Sequence, residues 1–170
     1  MSNIILGAGT IYIAEATEGK APDTLFTDAN KIGVTYGGAT LEVKPEIKEV
    51  ENDFGETVHG EITKHNVTLK CGLAELDGAM IEKNACFGTY TAAQSGGSEP
   101  SHYKIGDTDT ELKYYAIGFK QRKGVIKVSI IGTNRDGLSL AFSKDNETKI
   151  EPTFTAKKDS DGIYVDVMGL

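Results

Sequence analysis

The residues able to do chemistry in this chain are few, and their spacing does not bring them together. There are three histidines, His59, His65 and His102, and two cysteines, Cys71 and Cys86. His59 and His65 stand at even spacing on one predicted strand and can share a face. Zinc, however, needs three or four ligands in a closed geometry, and neither cysteine stands at a recognised spacing. Solvated or hydrogen-bonded imidazoles are expected, and no metal. Two cysteines build no disulfide framework. Cys71 belongs to the apolar row of a strand and Cys86 to the end of a helical pattern, so reduced, buried thiols are expected. Gly7-Ala8-Gly9 after Ile4-Ile5-Leu6 starts a dinucleotide fingerprint, but its third glycine position is Tyr12. Ile11-Tyr12-Ile13 reads as strand where that motif needs a helix. No Gly-x-Ser-x-Gly elbow exists. Asp159, Asp161 and Gly162 match part of a calcium loop without its remaining ligands or closing glutamate, so a tight turn is expected. The chain reads as neither an enzyme nor a cofactor binder.

The elements that position these residues are mostly strands. In 170 residues there are 20 glycines and 7 tyrosines, no tryptophan, 25% charged and 39% hydrophobic residues. This suits one ordered β-rich domain over 1–170. The formal charge is −7 and the pI about 5.0. Gripping nucleic acid calls for Lys and Arg gathered on one face. Here they are scattered, and the dense run Lys120-Gln121-Arg122-Lys123 reads as a turn between strands. DNA, if met, is expected to slide past. No run approaches the roughly 18 apolar residues of a membrane span. The start, Met1-Ser2-Asn3-Ile4-Ile5-Leu6, lacks the basic region and length of a signal peptide. Synthesis in a cytoplasm and no membrane anchor are therefore expected.

The run from Lys31 to Gly72 is the most informative. Ile32-Gly33-Val34 leads to a Gly37-Gly38 break and then an alternating strand. There Leu41, Val43 and Ile47 face one way, and Glu42, Lys44, Glu46 and Lys48 the other. Pro45 suggests an edge or bulge, because proline cannot donate to a ladder. The phase change from Ile47 to Val50 also suggests a bulge. An acidic tip, Glu49 to Glu56, carries one aromatic, Phe54. The returning strand has Val67, Leu69 and Cys71 in its apolar row. The apolar rows are expected to be core. From Leu73 the period turns helical through Leu76, Met80 and Ile81, with Gly88 as the stop. Gln94 to Ser101 reads as a long loop. The rest alternates as strands: Tyr115, Ile117, Phe119; Ile126, Val128, Ile130; Leu138, Leu140, Phe142; Ile150, Pro152, Phe154, Ala156; and Ile163, Val165, Val167. Short Gly-, Asp- and Asn-rich turns separate them. The expected fold is mainly β, an antiparallel β-sandwich or barrel with one short α-helix packed on it.

The order Ile32-Gly33-Val34-Thr35-Tyr36-Gly37-Gly38-Ala39-Thr40-Leu41-Glu42-Val43, then Pro45 and Leu69-Lys70-Cys71-Gly72-Leu73-Ala74-Glu75, resembles the tail tube (major tail) proteins of long-tailed bacteriophages and prophages. Leu138 to Phe142 followed by Ile150 to Ala156 resembles that family's closing hairpin. The resemblance implies a structural virion protein, made in the host bacterial cytoplasm, that assembles into stacked, sixfold rings forming the tube through which DNA passes without specific binding. It implies partners: other copies of the chain, and tail tip, tape measure and tail terminator proteins. It implies long inter-subunit loops, with the 51–60 tip and the 92–109 loop as mobile insertions. Glu51, Asn52, Asp53, Phe54 and Glu56 become candidates for the contact between rings or subunits. An aromatic gains nothing from exposure at a solvated tip, whereas at an interface it can anchor. Glu42, Glu46 and Lys48 become candidates for a lumen or subunit face. Two other readings stand beside this one. The inner tube of a contractile injection system has a related fold. A free-standing β-sandwich binding module would need an aromatic platform, which the Tyr114-Tyr115 pair does not supply.

Overall fold

A computed structural model describes residues 2–73, 78–106, 111–139 and 150–170. Eight strands form one antiparallel sheet: β1 (Ser2–Gly7), β2 (Gly9–Glu15), β3 (Lys31–Glu51), β4 (Thr57–Leu73), β7 (Tyr115–Gln121), β8 (Lys127–Asn134), β9 (Thr153–Lys157) and β10 (Asp166–Met168). Two short strands, β5 (Thr89–Thr91) and β6 (His102–Lys104), pair separately. The neighbours run β3-β2-β7-β8-β9-β4, and β4 pairs β3 again, which returns the sheet on itself as a barrel. The mainly-β expectation, with one short helix, holds.

Alternation explains the interior. Ile11, Ile13, Leu41, Leu69, Ile117, Phe119, Val128 and Phe154 come from every wall strand and share one buried cluster. The apolar row Val67, Leu69, Cys71 is buried as the period of two requires. The middle of the wall is buried on its outer face as well. Tyr12, Ala14, Ala116 and Ile131 pack there with Leu25, under the chain that links β2 to β3. Phe26 meets the Tyr12 ring edge-on, centroids 5.5 Å apart. Gly118 makes room for this cover, because a Cβ there would lie 2.9 Å from the Phe26 ring.

The Gly37-Gly38 break is a bulge inside β3. Thr35 pairs Leu73 and Ala39 pairs Cys71, so three residues of β3 face one of β4. Both glycines have φ near +80°, at +77° and +88°, which L side chains avoid.

The structure corrects several expectations. Leu73 ends β4 as a buried strand residue; it does not open the helix. That helix, α1 (Gly78–Ala85), is shorter than its sequence pattern, and Leu76 lies outside the described residues. The 92–109 stretch includes β6, because Tyr90 pairs Tyr103 and folds the stretch back as a hairpin. Leu138 lies in irregular chain, and 140–149 fall outside the described residues. Ile163 belongs to the turn before β10 and is exposed. That turn is a tight one, as expected: the Asp159 carboxylate accepts N–H bonds from Asp161 and Ile163, both at 2.8 Å.

Asn134 ties the end of helix α1 to the barrel. Asn134 Nδ2 donates to Asn84 O at 3.0 Å and to Gly137 O at 2.9 Å, and the Asn134 N–H reaches Cys86 Sγ at 3.3 Å. Cys86, at φ +62°, closes the helix in the left-handed region.

Both cysteines are buried and unpaired. Burial pushes the Cys71 thiol from 9.0 up to about 12 and also raises Cys86. Native protein at pH 8 should therefore leave both thiols unlabelled by iodoacetamide until it unfolds, which mass spectrometry reads directly. Because the folded-state pKa of Cys71 is raised, its contribution to stability is full below pH 9 and is lost as pH climbs toward about 12. Rapid alkylation of native Cys71 would show that its site admits water.

Candidate functional site

The barrel leaves one large feature outside itself. β1 accompanies β3 only as far as Val43, which pairs Ser2. β9 accompanies β4 only from Thr68, which pairs Thr155. Between those points β3 and β4 pair only each other and leave the barrel as a two-stranded arm. Eight residues of β3 lie beyond the wall, a reach of about 25 Å at ~3.3 Å per residue. Pro45 sits where the arm begins, on an edge that needs no donor.

The apolar row of β3 does not end with the core. Leu41 is buried and Val43 partly buried, but Ile47, on the same row, is 57% exposed. This overturns Ile47 as a core residue. The row continues past the end of the barrel, where none of the described residues covers it. Ile47 pairs Ile62, itself 53% exposed, so two isoleucines meet across the ribbon with their outer surface in water. Val50 and Val58 are exposed farther out, and Phe54 at the tip is 89% exposed.

Two bulges shape the arm. Glu46 pairs Lys64 while Ile47 pairs Ile62, which leaves Thr63 as an extra residue. Its hydroxyl donates back to Glu46 O at 3.2 Å. The extra residue reverses the alternation of β4, so His59 and His65 lie on opposite faces. The expectation that they share a face fails for this reason. His65 instead meets the Tyr164 ring edge-on at 5.9 Å. Among the described residues no three His, Cys, Asp or Glu side chains are grouped to hold a metal.

The tip is shorter than its composition suggests, because Glu49, Val50 and Glu51 are still strand. It is built around Asn52. The Asn52 carboxamide oxygen accepts from the N–H groups of Phe54 at 3.0 Å and Glu56 at 2.9 Å. Its Nδ2 donates to the Glu56 carboxylate at 3.1 Å, and Gly55 closes the turn onto Asn52 O at 3.0 Å. Asn52 and Glu56 thus spend their polar groups on the turn itself. Glu51, Asp53 and Phe54 are left to point at the surroundings.

The polar row lies on the outer face of the wall and arm. Glu42 receives Lys44 Nζ at 2.6 Å, which with that ammonium's charge holds its carboxyl below the usual 4.5. Glu46 accepts from Asn66 Nδ2 at 2.6 Å, with Lys64 at 3.9 Å. Lys48 stands opposite Glu61 and makes no ion pair among the described residues. Sequence reasoning found the acidic tip and Phe54 but missed the Ile47–Ile62 pair. The signal was there in the two isoleucines flanking the hairpin, hidden by the extra Thr63.

No protein-family model and no curated protein matches the chain. Among solved structures, a chain of "Virion of native gene transfer agent (GTA) particle" is similar at 10% identity and a TM-score of 0.49, over 94% of this chain and 95% of that one.

Proposed function

We propose that this chain is a tail tube subunit: copies join into rings, rings stack into a hollow tube, and DNA passes along the lumen. The order of motifs from Ile32 to Glu75 and from Leu138 to Ala156 supports this reading. The observation that carries it is the arm. A two-stranded ribbon with Ile47, Ile62, Val58 and Phe54 in water is an aggregation hazard for a solitary domain. It is an asset to a subunit whose neighbour covers it. Glu51, Asp53 and Phe54 are the contact groups, on a tip held by Asn52 and Glu56. Glu42, Glu46 and Lys48 line the lumen or a subunit face, where an acidic balance repels DNA phosphates during passage. The work is assembly and passage, without catalysis or cofactor. Tail tip, tape measure and terminator proteins are the partners at the ends of such a tube.

Negative-stain electron microscopy over a concentration series tests this. Stacked-ring tubes of uniform width are the expected result. Monomeric particles at every concentration count against it.

A further inference from the structure

The arm carries an unpartnered sheet face and a one-sided charge. From Glu46 to Glu61 it holds Glu46, Glu49, Glu51, Asp53, Glu56 and Glu61 against Lys48 alone. Among the described residues Glu49, Glu51 and Asp53 make no ion pair. Elsewhere on the molecule one element has the complementary composition. The turn from β7 to β8 holds Lys120, Arg122, Lys123 and Lys127 with no acid among them. Lys127 lies over the Phe26 ring at 5.4 Å, while Lys120, Arg122 and Lys123 are exposed and make no ion pair among the described residues. This turn also has apolar surface to offer. Val125 is 75% exposed and Leu170 is 88% exposed. Gly169, the neighbour of Leu170 in the chain, lies against Val125: a Cβ there would stand 2.4 Å from Val125 O.

Resting on the self-assembly reading above, we infer that the acidic tip of one copy seats on the β7–β8 turn of another, with Phe54 against Val125 and Leu170, and Glu51 and Asp53 among Lys120, Arg122 and Lys123. Charge complementarity selects the partner surface, and the apolar groups supply the contact that excludes water. Topology then fixes the arrangement. β3 and β7 are each antiparallel to β2, so they run the same way, and the arm and the turn leave the barrel at the same end. A tip that meets the same end of another copy joins neighbours side by side, so this contact belongs within a ring.

Two charge-reversed chains test the pairing. One carries Glu51→Lys and Asp53→Lys; the other carries Lys120→Glu, Arg122→Glu and Lys123→Glu. Each alone should lose at least roughly tenfold in association constant by sedimentation velocity. A one-to-one mixture should recover it, because every tip then finds a turn of opposite sign only on the other variant. Circular dichroism checks that both fold. If either does not, a mixture of Phe54→Cys and Val125→Cys chains, otherwise wild type, reads the same contact. Under mild oxidation it should give the mixed disulfide dimer ahead of either homodimer, the native cysteines being buried. Equal assembly of both reversed chains, no recovery on mixing, or no preference for the mixed dimer overturns the contact. If the wild type still forms tubes, the tube reading survives that result; a wild type that never associates overturns both.

Discussion

A chain whose residues 47–62 are replaced by an Asn-Gly turn should keep its barrel and lose its assembly. The buried cluster draws nothing from this stretch: its outermost contributors are Val43 on β3 and Val67 on β4. Removing the ribbon therefore takes away ladder bonds in water and exposed side chains, and the short turn matches the twist of the strands it joins. The thermal midpoint should stay within a few degrees, about 1 kcal/mol for a chain of this size. Association should fall at least about a hundredfold, because a buried aromatic anchor and the apolar row around it carry most of such a contact. Phe54→Ala alone should cost about tenfold on the same grounds. Calorimetry and sedimentation on one preparation separate the two effects. A truncated chain that assembles at the wild-type concentration would remove the arm from the mechanism.

Phe154→Ala should be the most damaging single change to the fold. Phe154 is fully buried on β9, opposite Leu69 of β4 and Asn134 of β8. β9 is the strand that joins the β8 side of the sheet to β4 and so closes the barrel. Emptying this position loses the transfer energy of the ring and leaves a cavity at the seam, about 3–5 kcal/mol. Against a typical total of roughly 5–15 kcal/mol, this brings the chain near its limit. Urea unfolding should show a large fall in midpoint, with Phe154→Leu in between. A cost under about 1 kcal/mol would contradict a closed barrel, since an open sheet could relax around the gap.

The sequence made the wall strands legible because each has a clean period of two with one side buried. Val67, Leu69 and Cys71, and Ile117 with Phe119, could be placed from pattern alone. What failed had a physical cause in each case. Leu73 is apolar in either period, so pattern alone extends the helix back to it, and its pairing with Thr35 and with Ile150 makes it strand. The cover on the outer face was invisible because Leu25 and Phe26 sit in aperiodic chain, and Ala116 and Gly118 are too small to announce a buried face. β6, with three residues, is too short to show a period. At the arm, pattern and burial part company. Ile47 has the right phase for the core, but the wall ends before it, and no local rule gives the height of a barrel. The acidic tip was legible as a surface that meets something; that Asn52 would serve as its internal brace was not.

β3 is one strand of 21 residues that begins in the wall and ends in the arm. Any pull on the tip is therefore delivered along the strand axis into the barrel. The bonds of β3 to β1 and β2, and of β4 to β9, are then loaded in parallel and in shear, so none can open before its neighbours. A joint hung on a loop would peel one bond at a time. An assembly linked through this arm can flex at the bulges beside Glu46 and Val50 while the anchorage below them stays shut.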